Sequence, residues 1–315
     1  MPGTSAHSHS PMRGIGLKLG SVAFFMAMSS VIKVVSGDVP PGEVVFFRSA
    51  FAVPVILVWL TATGNLRAGL ATRNYLGHFW RGLAGTAGMG FAFAGLGLLP
   101  LPEVTAIGYA APLLTVVFAA MFLGEEVRIF RILAVALGLV GVLVILTPRF
   151  SALSAGGLGA TEAAGAMAVL IGAIFAALAQ VFVRRLVAEE TTSAIVFYFS
   201  VNAAFLGLLT LPLGWNWPHP GTAVLLILAG LLGGVAQVLL TSAYRFADAS
   251  VVAPFDYASM ILSLAIGYFA FGEPPTELVL LGAALVIAAG IIIIWRERML
   301  GLERARQRQS MTPQG

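Results

Sequence analysis

The chain contains no cysteine. Disulfides, thiolate chemistry and cysteine-ligated metals are therefore excluded. Charge is almost as scarce: 10% of the 315 residues are charged, against 59% hydrophobic. A soluble domain carries roughly 25% charged residues, so this surface must face an apolar solvent, and lipid is the obvious one. Strict apolar–polar alternation over about ten residues, the mark of a membrane β-barrel, is also missing. No H-E-x-x-H, P-loop or G-x-S-x-G motif occurs, so neither an enzyme nor an ATP-driven pump is expected. No filter-like segment points to a channel. The net charge of +4 is spread between apolar runs, so no nucleic-acid partner is expected. His7 and His9 sit in a polar stretch, Met1 to Met12, that reads as a tail rather than a metal site or a cleavable signal peptide. No metal and no cofactor is expected.

What the sequence has instead is long apolar runs. Leu278 to Trp295 carries no charge, and ~20 apolar residues is what a helix needs to cross a bilayer. Ten spans are predicted, near 14–36, 43–63, 75–98, 101–123, 129–147, 162–184, 192–213, 222–244, 250–271 and 277–296. Pro100 and Pro102 separate the third from the fourth. With a cytoplasmic N-terminus, fifteen of the eighteen basic residues fall inside. They are Arg13, Lys18, Arg67, Arg73, Arg81, Arg128, Arg131, Arg184, Arg185, Arg245, Arg296, Arg298, Arg304, Arg306 and Arg308. Lys33, Arg48 and Arg149 fall on or near the outside. This bias predicts a bacterial inner-membrane protein with both ends in the cytoplasm, and an Arg-rich tail either at the anionic leaflet or simply solvated.

The two halves resemble each other. At a shift of 148, Gly82 falls on Gly230, Gly85 on Gly233, Tyr109 on Tyr257, and Gly124-Glu125 on Gly272-Glu273. At a shift of 151, Lys33 falls on Arg184 and Ser29 on Gln180, and Val45-Phe46-Phe47 lies over Val196-Phe197-Tyr198. Five spans per half force the second copy to run upside down. The expected layout is an N-terminal tail (1–13), a first five-helix repeat (14–148), a linker (149–161), a second repeat (162–296) and a basic tail (297–315). Inverted copies suit a carrier that alternates between two faces, with substrate near the midplane. Gly16 and Gly20, Gly230 and Gly234, and Gly85 and Gly88 provide small faces for close helix packing, within one chain rather than between two. Oligomeric state stays open, and a monomer suffices.

Several of these segments together resemble the drug/metabolite transporter superfamily, in its EamA-type branch. They are Lys33 closing span 1, Phe46-Phe47-Arg48 in span 2, Leu99-Pro100-Leu101-Pro102-Glu103 before span 4, and Pro112 with Leu123-Gly124-Glu125 closing it. In the second half they are Ala249 to Pro254, Tyr257, and Phe271-Gly272-Glu273. The resemblance covers nearly the whole chain. It implies an all-α fold of ten transmembrane helices in two inverted five-helix repeats. It also implies a proton-linked, gradient-linked or facilitative carrier with a central cavity lined by spans 1, 3, 4, 6, 8 and 9. Relatives of this kind export amino acids, take up S-adenosylmethionine or move sugar phosphates and nucleotide sugars. Phe25 and Phe175 stand where some members carry tryptophan. Ala111 stands where the aromatic-amino-acid branch carries another, which counts against large aromatic substrates.

Polar groups inside a membrane are functional candidates by default. Ser29, Tyr109, Gln180, Gln237 and Tyr257 form the expected substrate set, with Phe25, Phe91 and Phe175 as aromatic walls. Amides and hydroxyls can read a zwitterion without burying a full charge. The bland alternatives are hydroxyl bonds back to the helix carbonyl and interhelical bonds from the glutamines. Asp256 is a candidate for proton coupling, or a partner of Arg245. Arg48 is read as a gating or structural partner of Asp38 or Glu43, Lys33 as a gate or an interfacial lysine that snorkels, and His78 as interfacial. The expected activity is secondary transport of a small metabolite, with amino-acid export first and uptake of a larger metabolite such as S-adenosylmethionine as the alternative. An intramembrane enzyme or scaffold is the rival from another class.

Overall fold

The computed structural model describes residues 11–124, 129–153, 158–187, 189–247 and 249–311. Among them there is no strand. The helices are α1 (Pro11–Val35), α2 (Pro41–Ala62), α3 (Leu66–Leu70), α4 (Tyr75–Leu98), α5 (Leu101–Gly108), α6 (Ala110–Leu123) and α7 (Ile129–Leu153). They continue as α8 (Leu158–Leu186), α9 (Thr192–Leu208), α10 (Pro220–Phe246), α11 (Ala249–Val252), α12 (Ala258–Phe271) and α13 (Glu277–Met311). Eight segments are long and apolar enough to cross a membrane, counting Leu101–Leu123 and Ala253–Phe271 as one each. The remaining two crossings are α9, apolar but only 17 residues, and α4, which is 24 residues long and contains His78 and Arg81. The chain is thus a ten-helix membrane bundle. The start of α1 and the end of α13 lie on one face, called here the tail face. The other is the far face.

Two crossings are broken, and at matched places. Span 4 divides at Tyr109, between α5 and α6. Span 9 divides at a 3₁₀ turn, Ala253–Tyr257, before α12. Each then ends at a glycine in the left-handed region, Gly124 at φ 65° and Gly272 at φ 65°. Glycine takes that backbone without the Cβ clash other residues meet, so the paired Gly-Glu endings have a structural cause in their first residue. Glu125 lies outside the described residues. Prolines also fall where their missing N–H does no harm, in the first turns of α2, α5 and α10.

Packing follows the inverted repeat. Helix α4 packs on α8 as α1 packs on α10, and α2 crosses α9 while α7 crosses α13. The matched glycines sit at equivalent crossings. A Cβ on Gly82 would meet Asn202 of α9 at 2.7 Å, and one on Gly230 would meet Phe51 of α2 at 2.5 Å. Gly88 and Gly172 bring α4 and α8 into backbone contact, each blocking a Cβ on the other at about 3 Å from a carbonyl oxygen. Gly234 packs against Ala52 and Val55, whereas Gly16 touches nothing within 4 Å. The small faces at Gly85, Gly88, Gly230 and Gly234 thus serve packing inside the chain.

Candidate functional site

A cavity of about 510 Å³ lies beside the two breaks. Gly108, Tyr109, Ala111 and Thr115 border it from span 4, Ala176, Gln180 and Arg184 from α8, and Asp256, Tyr257 and Ser259 from span 9. The broken helices explain its position. Where regular helix stops, side chains and backbone groups turn into the space between the repeats. The rings of Tyr109 and Tyr257 meet edge to face, centroids 5.2 Å apart. The Tyr109 hydroxyl bonds Ser259 Oγ at 2.6 Å, and Ser259 donates to the Asp256 carbonyl at 2.6 Å. Ser259 therefore uses its proton on span 9, and Tyr109 is the donor to it. The Tyr257 hydroxyl lies hard against Gly290 of α13, where a Cβ would overlap it. Gln180, Arg184 and Pro112 are exposed, and the Asp256 side chain is 51% exposed. These residues lie in the tail half of the bundle, so the cavity opens toward the tail face.

At the far face the helix ends are tied together. Lys33 Nζ pairs with Glu273 Oε1 at 2.9 Å and donates to the Leu99 carbonyl at 2.7 Å. Glu273 Oε2 accepts from the Leu101 backbone at 2.9 Å. One clasp thus joins the ends of α1, α4 and α12 to the start of α5. Beside it, Arg149 binds Glu103, with Nε to Oε2 at 2.9 Å, and also pairs with Glu162. Lys33 is therefore held at an acid rather than snorkelling to an interface.

The structure distributes the expected site residues unevenly. Tyr109, Gln180, Asp256 and Tyr257 line the one cavity. Phe91 and Phe175 stack in parallel, centroids 6.1 Å apart, but Phe91 borders an apolar groove among α2, α4 and α9 instead. Phe25 packs on the main core, and Phe25, Ser29 and Gln237 do not border the cavity. Arg48 pairs with neither Asp38 nor Glu43 among the described residues, and lies 5.9 Å from the centre of the Phe199 ring. The basic partner of Asp256 is Lys18, at 2.6 Å; the Arg245 side chain lies outside the described set. Lys18 and Arg81, counted above as cytoplasmic, lie within α1 and α4. His78 is buried, 4.8 Å from the Tyr198 ring and 3.8 Å from Glu190.

Sequence reasoning missed Lys18, Ser259 as Tyr109's partner, and the Arg149–Glu103–Glu162 group. Lys18 carried a usable signal, since it stands five residues past Arg13 and too far into an apolar run for a loop. The other two depend on contacts between distant segments, which spacing does not reveal.

Known proteins place this architecture. A profile of the EamA-like transporter family matches residues 12–147 and 163–295. The pseudopaline exporter CntI of Pseudomonas aeruginosa is 30% identical over 85% of this chain and 91% of its own length. An S-adenosylmethionine uptake transporter of Rickettsia bellii is 28% identical over 90% of this chain and 94% of its own. A riboflavin transporter of Rhizobium johnstonii is 30% identical over 82% of each. One solved crystal structure, 21% identical, superposes with a TM-score of 0.64 over 92% of this chain and shares the fold. The chain is an integral membrane protein and belongs to the EamA-like transporter family.

Proposed function

We propose that this chain is a secondary carrier of a polar organic metabolite larger than a single amino acid, working by alternating access in the bacterial inner membrane. The observation that carries the reading is the cavity at the paired helix breaks, open on one face and clasped on the other. Its 510 Å³ falls within the roughly 300–1,000 Å³ of pockets that enclose drug-sized ligands. Relatives named for S-adenosylmethionine and riboflavin support the larger cargo over the amino acid that the sequence alone put first. Direction is left to the gradients, since one relative is named an exporter and another an uptake transporter.

In this reading Tyr109 and Tyr257 stack on the flat part of the cargo. Gln180 and Asp256 read its polar groups, and Lys18 competes for Asp256. With both termini in the cytoplasm, the tail face is inner and the state described is inward-open. The Lys33–Glu273 clasp is then the outer gate. The repeat puts Arg184 and Glu125 at the equivalent sequence positions of the inner end. Counterflow in liposomes holding only this protein tests the reading. Labelled S-adenosylmethionine or riboflavin should exchange, and Tyr109→Ala or Asp256→Asn should slow that exchange tenfold or more, on the order of one charged hydrogen bond. Exchange of amino acids alone would reinstate the smaller cargo, and exchange of no metabolite would defeat the carrier.

A further inference from the structure

Three of the bases described above are matched to acids: Lys18 to Asp256, Lys33 to Glu273, and Arg149 to Glu103 and Glu162. Two arginines are not. Arg48 of α2 is 5% exposed, and Arg81 lies in the second turn of α4. Among the described residues neither has an acid within ion-pair distance. Nε of Arg48, and Nε and Nη1 of Arg81, are buried with no hydrogen-bond acceptor. Both guanidinium groups gather at one ring. Arg81 Cζ lies 3.5 Å from the Phe199 centroid and Arg48 Cζ 5.9 Å from it, so the two cations are no farther apart than those distances combined. The hydroxyl of Ser49, next to Arg48, is also buried without a partner.

Matched glycines make room for this cluster. A Cβ on Gly85 would stand 2.7 Å from the Phe199 ring and 3.4 Å from Arg81 Nη1. A Cβ on Gly233 would stand 3.2 Å from Arg48 Nε. The repeat thus supplies one glycine beside each guanidinium. A ring face attracts a cation but accepts few of its N–H groups and carries no net charge. Two unneutralised cations side by side in low dielectric repel each other and lack the solvation that each has lost.

We propose that Arg48 and Arg81 form an anion-binding site between α2, α4, α9 and α10, fitted to a carboxylate. A carboxylate accepts two parallel N–H groups from one guanidinium and still has lone pairs for the other. It neutralises the pair and satisfies the orphaned donors together. The carboxylate comes either from a free small anion or from a carboxylate on the cargo. The site stands on its own contacts and does not depend on the cargo proposed above.

The test uses the whole purified chain in detergent, with acetate as the probe and a sulfonate too bulky for a buried site as the control at equal ionic strength. Acetate should raise the melting temperature of the wild type in a saturable way that the sulfonate does not reproduce. Arg81→Gln and Arg48→Gln should each weaken the acetate midpoint roughly tenfold or more, while Arg67→Gln, at an exposed base of α3, keeps it. Equal melting curves in acetate and sulfonate would overturn the site, as would an undiminished acetate response in Arg81→Gln. If neither arginine variant folds, saturation transfer from the wild type to labelled acetate decides, and no transfer overturns the proposal. A free-anion role leaves counterflow of the carrier's cargo unaffected by acetate, whereas a cargo carboxylate at this site makes acetate a competitive inhibitor.

Discussion

The two faces of the bundle are built from equivalent positions and handle charge differently. At the far face, Lys33 is 12% exposed in its side chain and tied to Glu273, itself 20% exposed. At the tail face, the matched Arg184 and its neighbour Arg185 are exposed, and Arg185 donates to the Phe122 carbonyl at 2.8 Å. Buried pairs are strong only when both partners are present, because losing one strands the other. An exposed base on a carbonyl is weaker and exchanges readily with water. The base that closes the first repeat is therefore largely buried against an acid, while its counterpart in the second repeat stands exposed. The difference between the ends, rather than either alone, defines which way the carrier faces.

Lys33→Met should break that comparison most. It strands Glu273 and releases the start of α5, a loss of about 2–3 kcal/mol after allowance for partial exposure. That is enough to shift the two-state balance by tens of fold. The chain has no native cysteine, so a single Ala111→Cys in the cavity reports access without background. In the Lys33→Met chain its reaction with an impermeant thiol reagent from the far side should rise at least roughly tenfold. The matching Arg184→Met change should leave far-side reactivity low. Equal behaviour of the two variants would remove the asymmetry on which the gating assignment rests.

The second test concerns the tail half. Lys18 is 3% exposed and Asp256 is 51% exposed in their side chains, so the pair is lopsided. Asp256→Asn leaves a buried ammonium without its acid and should lose about 2–3 kcal/mol. Lys18→Met leaves a carboxylate that water can reach and should lose about 1 kcal/mol or less. Scanning calorimetry of the two variants under one protocol should therefore rank Asp256→Asn well below Lys18→Met. The reverse order would mean that Asp256 is not held as described.

Much of this was readable in advance because lipid imposes long apolar runs and because the duplication repeats its markers. The Gly124 and Gly272 endings and the Tyr109–Tyr257 match follow from one shift, whereas the helix breaks beside the two tyrosines do not show in it. Of the substrate set, the residues flanking the breaks were legible for the same reason. Ser29 and Phe25 were not, since an apolar helix shows no periodicity that separates its cavity side from its packed side. Charges misled most. Lys18, Arg48 and Arg81 look like loop or interface residues in one dimension, yet each is inside a helix, with a partner, or lack of one, set by segments far away in sequence.

Beyond the bundle, Glu190 ties the loop after α8 to the loop before α4. Burial raises its pKa, but the Arg73 and Asn74 backbone N–H groups and the Thr72 hydroxyl, bonding it at 2.8–3.0 Å, outweigh that and hold it below the usual carboxylate range. A depressed folded-state pKa means that the stabilisation is full above the unfolded value and fades as pH falls through the folded one. Glu190→Gln should lose about 1–2 kcal/mol at neutral pH and flatten the acid-side slope of the melting temperature. An unchanged slope would place the acid sensitivity of the tail face elsewhere.

The smallest test asks whether the two matched helix ends are mechanically alike. Gly124 and Gly272 share φ 65° and have ψ 24° and 30°, and neither has a neighbour within 4 Å of a would-be Cβ. Alanine at either therefore meets backbone strain and no steric contact, which is worth about 1–2 kcal/mol. If the caps were only helix ends, Gly124→Ala and Gly272→Ala would lower the melting temperature equally and leave far-side access to Ala111→Cys unchanged. But Gly272 orients Glu273, which the clasp requires, and so Gly272→Ala should also raise that access a few fold. Equal melting shifts with unequal access would separate the cap from the gate, and equal access would confine Gly272 to ending its helix.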